Sequence, residues 1–418
     1  KYLTGTQGIE PSYHKEGKDF LKYAIGETRR RGIEFHAWFN PYRVTKDPHL
    51  NKTKNQIIDM LSPNNFARKN KELVYLFDGK LFLDPGRSEV INFIKDTIHE
   101  FITSYDVDGI HFDDYFYPYG SQIIDGKSYK FGDRNEDLET FNLNSRGIKD
   151  IKNWRRDNVN ILIKEIKNII SHYNFMNCKS VQWGISPFGI YAHKGEEIKN
   201  GVKTGNLLNG SNTPYGSLSS YRDIYADTLN WIDNELIPQV YWTFGRKEAP
   251  YEEIVNFWSN ALKGKRCLLY IGHGNYCMRD SKGDKNWNNS YEITNQIKFN
   301  SNYNNIFGSA FFSVNDLNKF IDEKSSRASI YKKYISSLED DILKHKSIVP
   351  KKPWLDFKDT EEILDLRVLN SDNKWYLFFK DKIENDSKFY VVYGFEDVNN
   401  VKIFWVFTEE IVLENFRV

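Results

Sequence analysis

The stretch YDVDGIHFDDYFYPYG, residues 105–120, decides how the chain is read. Its first half, VDGIHF, has the length and apolar character of a buried strand. It runs into two adjacent acids, Asp113 and Asp114, and then into Tyr115, Phe116, Tyr117 and Tyr119 around a proline. A polar cluster where a buried strand stops points to a parallel α/β protein, because such folds assemble their sites at the carboxyl ends of strands.

Further strand-like runs follow the same pattern. They are IEFHAWF (33–39), VQWGISP (181–187), IPQVYW (237–242), CLLYIG (267–272) and IFGSAFFSV (306–314). Between them, Phe20 to Arg31, Val90 to Thr103, Ile151 to Ser171, Tyr251 to Leu262 and Tyr291 to Asn300 carry apolar residues at three-to-four spacing, as an amphipathic helix requires. The alternation predicts parallel strands covered by helices.

The polar residues at the strand ends separate two topologies. His36, Asn40 and Arg43 follow the first run, and Asp113 and Asp114 the second. Ser186, then Gln239 and Tyr241, then His273 and finally Ser313 follow the others. A doubly wound sheet concentrates its site at one switch point, whereas a (β/α)8 TIM-type barrel draws residues from many strand ends. No glycine-rich nucleotide fingerprint follows any strand, since GHGNY and GTQG lack its spacing. The expectation is therefore a (β/α)8 barrel whose six visible strands are the third to the eighth, the first two lying before Lys1.

Long connections at 44–82, 118–150 and 189–222 follow strand ends, and loops of that length usually carry function. They are expected to form walls or lids of a cleft. Beyond the lysine-rich stretch from Lys344 to Lys352 the pattern changes to ILDLRVL, KWYLFF, KFYVVYG and VKIFWVF, with no helix between them. The predicted division is a barrel over 1–345 and a small all-β, sandwich-like domain over 353–418.

Composition excludes several classes. Lys and Arg number 58 against 57 Asp and Glu, so no bulk positive charge exists to grip nucleic acid. Three cysteines, Cys178, Cys267 and Cys277, without repeated spacing fit buried thiols better than a disulfide or zinc framework. No run of eighteen apolar residues occurs. His14, His36, His111 and His273 lack ligand spacing, so no metal and no cofactor is expected. With 10 Trp and 26 Tyr, the chain is well supplied with amphipathic rings of the kind that line sugar clefts.

Hydrolysis of a glycosidic bond needs a protonated acid near the leaving oxygen and a second group that attacks or stabilises the sugar centre. Adjacent residues on an extended chain point opposite ways. With Ile110 and Phe112 facing the helices, His111 and Asp113 point inward and Asp114 shares the other face. Asp113 is thus the favoured acid, with Asp114 a close second if the strand stops earlier. The competing structural role for both is capping, or pairing with Arg43 and Arg222.

Around the acids, His36, Trp38, Asn40, Arg43, Tyr115, Gln239, Tyr241, Trp242 and His273 are the candidate substrate contacts. They offer amide, phenol and imidazole groups with stacking surfaces. Asp84, Asp223, Asp227 and, less well placed, Glu235 are candidates for the partner carboxylate.

The motifs HAWFNPYR, YDVDGIHFDDYFYP, WRRDNVN, GISPFGI, IPQVYW and YIGHGNY together resemble the bacterial glycosyl hydrolase-like family 10, over about residues 1–325. The resemblance implies a (β/α)8 barrel, often exported or lipid-anchored, so a secreted protein or lipoprotein of the cell envelope or exterior. It also implies a polysaccharide substrate, since one branch cleaves peptidoglycan glycan strands stripped of their peptides. It marks His36, Asn40, Arg43, Asp113, Asp114, Gln239, Tyr241 and His273 as the cleft set. A weaker resemblance, to the DGxDxDxE signature of chitinase-like barrels, places Tyr115 where that signature has its acid glutamate.

Two functions follow. The first is a glycoside hydrolase acting on a bacterial cell-wall type polysaccharide, peptidoglycan or a related N-acetylated glycan, by carboxylate acid catalysis. The second is a catalytically inactive carbohydrate-binding barrel, which would keep the aromatics and need no acid.

Overall fold

Six parallel strands form the centre of the structure, a computed structural model that describes residues 19–195, 210–214, 217–317, 325–344, 347, 349–354 and the strand segments between 364 and 413. They are β1 (His36–Phe39), β2 (Gly109–Phe112), β3 (Gln182–Ile185), β4 (Glu235–Leu236), β5 (Leu268–Gly274) and β6 (Ile306–Phe312). Each pairs in parallel with its successor, giving a sheet in simple chain order. Phe39, Phe112, Ile185, Leu236 and Leu269 lie in register across five strands.

Parallel neighbours need crossovers, and helices supply them. Of the longer helices, α1 (Phe20–Arg29) precedes β1, α2 (Ser88–Ser104), α3 (Ile151–Asn177), α4 (Tyr251–Leu262) and α5 (Glu292–Asn300) are crossovers, and α6 (Ala328–Ser337) follows β6. Helix α2 buries Val90, Ile94, Ile98 and Phe101, a stripe at helical spacing, each worth roughly 1.5–3 kcal/mol of burial. The edge of Phe101 meets Phe39 at 5.1 Å between ring centres. Helix α3 starts on Asp150, whose side chain accepts from Asn153 N at 2.7 Å. It runs six residues past the expected Ser171 and ends at Cys178, which takes the left-handed conformation at φ 50°. An isolated aspartate cap of this kind is worth about 1 kcal/mol.

The strands alternate as their sequences require. Ile110 and Phe112 are fully buried toward the helices, and His111 faces inward. Small residues make room on the inward face. A Cβ at Gly109 would stand 2.5 Å from the His36 ring, and one at Gly184 would stand 3.0 Å from His111 and 3.1 Å from Glu235.

Two strand expectations change. The fourth strand begins at Glu235 rather than Ile237 and is two residues long, because Pro238 lacks an N–H to continue the ladder. Contact resumes as bridges from Gln239 to Phe188 and to Gly272. At the chain's end the strands are β7 (Leu364–Ser371), β8 (Lys374–Lys380), β9 (Tyr390–Phe395), β10 (Val401–Val406) and β11 (Glu410–Leu413). They pair antiparallel as β7-β8-β11 and β9-β10. The last of them was not expected from sequence.

The central sheet is shown as six strands, with β1 and β6 each pairing on one side among the described residues. The connection at 189–222 falls partly outside them, at 196–209 and 215–216.

Candidate active site

Strand β2 stops at Phe112, so Asp113 and Asp114 stand on non-strand backbone. Strand parity therefore no longer divides them. Each acid is held from a different side of the sheet. On the β1 side, Asn40 Nδ2 donates to Asp113 at 3.1 Å, and Tyr115 N donates to its Oδ1 at 3.0 Å. On the β4 side, Gln239 Nε2 donates to Asp114 Oδ1 at 3.0 Å and to the Ser186 carbonyl at 2.9 Å. The Tyr119 hydroxyl is a further donor to Asp114.

The donors are neutral and the acids are deeply placed, with Asp113 9% and Asp114 5% exposed. Burial, then the charge of Asp114, push the Asp113 carboxyl up to about 6, against the pull of Tyr115, Asn40 and Arg43. Burial raises Asp114 as well, against Gln239 and Tyr119. Crowded, desolvated carboxyls resist being charged together, so the pair holds a proton to higher pH than a free aspartate does.

Arg43 lies above the Tyr115 ring at 4.9 Å, and its backbone N donates to Asn40 Oδ1 at 3.1 Å. Tyr115 in turn packs on Tyr119 at 4.6 Å between ring centres. Tyr241 stands beside the flat backbone of Gly272 and Gly274 and near Phe312 and Tyr276. Burial and then the Asp114 charge hold its phenol protonated. Asn40, Arg43, Asp113, Asp114, Tyr115, Gln239 and Tyr241 are thus brought together at one end of the sheet.

Four expected contacts are not brought to the acids in this way. His36 sits at the opposite end of β1, in register with Gly109. That is four residues, about 13 Å of strand, from Asn40. Its ring nitrogens face Glu34 and Glu235, both at 3.3 Å. Burial alone would lower its pKa, but Glu235 and Glu34 raise it to about 9. Gln182 donates to Glu34 at 2.9 Å, and Lys352 pairs with the same carboxylate.

His273 is fully buried against helices, between Gln296 and Ser309 at 3.1 Å each and stacked on Tyr251. It follows Ile271 on the outward face of β5, and burial pushes its pKa down to about 4. Trp242 packs edge-on to Phe188 on the helix side. Trp38 lies in register with His111 and is 55% exposed, an open ring between the two ends of the sheet.

The acids considered as partners are engaged elsewhere. Asp84 accepts from Thr140 at 2.5 Å and Gly86 N at 2.8 Å. Asp223 pairs with Lys130 and Arg222. Asp227 accepts from Tyr191 and Asn230, and Glu235 belongs with His36. Among the described residues no group of three or more His, Cys, Asp or Glu can hold a metal ion.

Asp84, just past the 44–82 connection, accepts from Thr140 of the 118–150 connection and so ties the two together. A buried ion pair, Asp137 with Arg155 of α3 at 2.6 and 2.7 Å, fastens that second segment to the scaffold. Arg155 also donates to Tyr225 at 2.8 Å, and Asn158 to Tyr117 at 2.9 Å. The rim is therefore a tied wall. A groove of about 420 Å³ in it is lined by Leu50, Leu76, Gln122, Ile123 and Arg134, among others.

Two members of the site, noted in the sequence as a strand-end polar residue and as one of the aromatics after the acids, were not among the candidate contacts. Ser186 supplies the carbonyl that fixes Gln239, and its hydroxyl lies 2.5 Å from His111 Nε2. Tyr119 was read only as an aromatic of the cleft wall. The turn-forming Pro118 just before it was the available sign that the chain folds back over Asp114.

A carboxyl that holds its proton up to about pH 6 beside oriented amides and phenols is suited to proton delivery to a leaving sugar oxygen. With helices around a parallel sheet, it defines a protein of the glycoside hydrolase class. Comparison with known proteins narrows this. The family model for glycosyl hydrolase-like 10 matches residues 4–289, and the chain belongs to that family and to its hydrolytic enzymes. It is 33% identical over 407 residues to glycosyl hydrolase YngK of Bacillus subtilis, covering 95% of this chain and 70% of that protein. It is 30% identical over 335 residues to glycosyl hydrolase DigH of Escherichia coli K12, covering 76% and 67%. Among solved structures, the PgaB (BpsB) glycoside hydrolase domain from Bordetella bronchiseptica aligns over 76% of this chain and 79% of its own, at 10% identity and a TM-score of 0.38.

Proposed function

We propose that this glycoside hydrolase cleaves an N-acetylated cell-wall type polysaccharide, such as the glycan strands of peptidoglycan, with Asp113 as general acid. The observation that carries the reading is the environment of Asp113. Burial and the neighbouring Asp114 keep its proton to about pH 6, while Asn40 and Tyr115 N fix the direction of the carboxyl. Gln239, Tyr241 and Tyr115 surround it with groups that recognise hydroxyl and amide substituents without adding charge. Arg43, over the Tyr115 ring, extends the contact surface.

In this reading the six parallel strands are consecutive members of a (β/α)8 barrel, and the antiparallel strands after residue 363 form a small sandwich-like domain. The enzyme then works outside the cytoplasm, at the envelope where such glycan lies.

The test is release of reducing ends from peptide-free peptidoglycan glycan strands. Wild type should release them, and the Asp113→Asn, Asp114→Asn double variant should not. Equal rates for both would reject the assignment of the acids.

A further inference from the structure

We infer that His111 is a positioning residue for the hydrolysis: through Ser186 and Gln239 it fixes the direction of the Asp114 carboxylate beside Asp113. This rests on the proposed reading of Asp113 and Asp114 as the acid pair.

The inference starts from how Asp114 is held. Its donor Gln239 reaches it on a side chain with several rotatable bonds, and an amide left free at the end would turn through many orientations. Gln239 Nε2 carries two hydrogens. One goes to Asp114 Oδ1 at 3.0 Å and the other to the Ser186 carbonyl at 2.9 Å, so both are committed. The place of the Ser186 carbonyl therefore decides where the first hydrogen points.

Ser186 stands just past β3, which stops at Ile185. Two bonds to β2 fix it there. Its backbone N donates to the Phe112 carbonyl at 2.8 Å, and its hydroxyl lies 2.5 Å from His111 Nε2. His111 is in register with Gly184 of β3, where a Cβ would stand 3.0 Å from its Nδ1. The bare backbone lets the ring lie close to β3, and its Nε2 then meets the serine beyond the strand's end.

These bonds close a circuit. It leaves β2 at His111, crosses to Ser186 after β3 and to Gln239 after β4, and returns to the end of β2 at Asp114. A carboxylate on non-strand backbone is in this way referred to three strands.

The chemistry of His111 suits a fixed part. Burial, then the charge of His36, push its pKa down to about 3, so the ring stays neutral near neutral pH and adds no charge to the acids. What reaches them is direction. After burial, the Asp114 charge is what makes Asp113 hold its proton, and Gln239 favours that charge. With Gln239 loose, Asp114 competes for the pair's last proton, which is then held to higher pH and spends less time on Asp113. The change leaves in place the other groups facing the pair, which are Arg43 after β1, Tyr115 and Tyr119 after β2 and Tyr241 after β4. Toward His111 the charged neighbours are His36 on β1 and Glu235 on β4, beside the same Gly184.

The whole chain, assayed on peptide-free peptidoglycan glycan strands, tests this with His111→Leu, His111→Gln, Ser186→Ala and Gln239→Leu. The first and third are also placed in the Gln239→Leu background. Ser186→Ala removes the hydroxyl and keeps the carbonyl, and it carries the test by itself if His111→Leu does not fold. Glutamine at 111 offers an amide where the imidazole stood. The expected result is kcat lower on the order of 10-fold in His111→Leu and Ser186→Ala at little change in KM. The alkaline limb of kcat/KM should move upward in both, and His111→Gln should keep near wild-type kcat. In the Gln239→Leu background neither change should cost further kcat, because residues that act through one another do not add. Full additivity of the losses, or an unmoved limb with only the melting temperature lowered, overturns the inference. An inactive Asp113→Asn, Asp114→Asn double variant would then leave the acid pair standing. If that double variant turns over at the wild-type rate, or folded wild type does not turn over at all, the acid pair and the inference fall together.

Discussion

The two ends of the parallel sheet carry the same kinds of residue and treat charge in opposite ways. At the amino end, Glu34, His36, Glu235 and Lys352 neutralise one another. His36 and Lys352 hold Glu34 well below the usual carboxylate range despite its burial. At the carboxyl end, Asp113 and Asp114 receive neutral donors and each other, and burial raises both. Residue type alone does not distinguish a structural carboxylate from one able to carry a proton. The charge of its nearest partners does.

The comparison breaks most easily at the carboxyl end. Replacing both Asp113 and Asp114 by Asn should reduce kcat by roughly 10²–10⁴-fold without lowering the melting temperature. Glu235→Gln at the other end should do the reverse. Reducing-end assays paired with thermal melts read both, and a Glu235→Gln variant that melts like wild type would remove the contrast.

Lys352→Met leaves the Glu34 carboxylate without its lysine. Breaking a buried pair from one side costs about 3–5 kcal/mol, and the partly exposed Glu34 places the loss toward or below the lower figure. Urea denaturation checks it, and a loss below about 0.5 kcal/mol would show that the pair is merely superficial. Gly109→Ala should cost about 1–3 kcal/mol by forcing the His36 ring aside, seen in the same experiment.

The pH dependence sharpens the contrast further. His36 is raised to about 9, so its contribution to stability is full below the unfolded value near 6.5 and is lost as pH rises through 9. Asp113 is also raised, from 3.8 to about 6. Its folded form binds the proton more tightly, so stability falls as pH rises from about 4 through 6. Asp113→Asn should therefore melt higher than wild type at pH 7 and level with it at pH 3.5. His36→Gln should flatten the decline between pH 7 and 9.5.

The smallest effect expected is from Asn40→Ala. Losing a donor to the ionised carboxylate should move the alkaline limb of kcat/KM, near pH 6 in the free enzyme, upward. A downward move would place Asn40 outside the acid's environment.

Much of this was legible in the sequence. Five helices and most strands follow from apolar spacing, and the grouping of Asn40, Arg43, Asp113, Asp114, Tyr115, Gln239 and Tyr241 follows from polar residues at strand ends. What failed did so for physical reasons. His36 and His273 belong to the same strand-like runs that lead into the site residues, but distance along a strand and inward or outward facing are set by register and neighbours. A histidine between glycines, as in GHG, reads as accessible, yet those glycines serve Tyr241 on the inner face while His273 points out. Parity assigned Asp113 and Asp114 to opposite faces because the end of β2 at Phe112 was not visible. Lys352, over three hundred residues from Glu34, had no local signal at all.

The Asp137–Arg155 pair has a further consequence for redesign. It couples the cleft wall to the longest helix of the scaffold, and Asp84 couples the two rim segments to each other. Lengthening or replacing one segment alone would strand a buried charge or a carboxyl. The unit of transplantation is then both rim segments together with the Arg155 turn of α3, and a graft that respects it carries the cleft's width along with its residues.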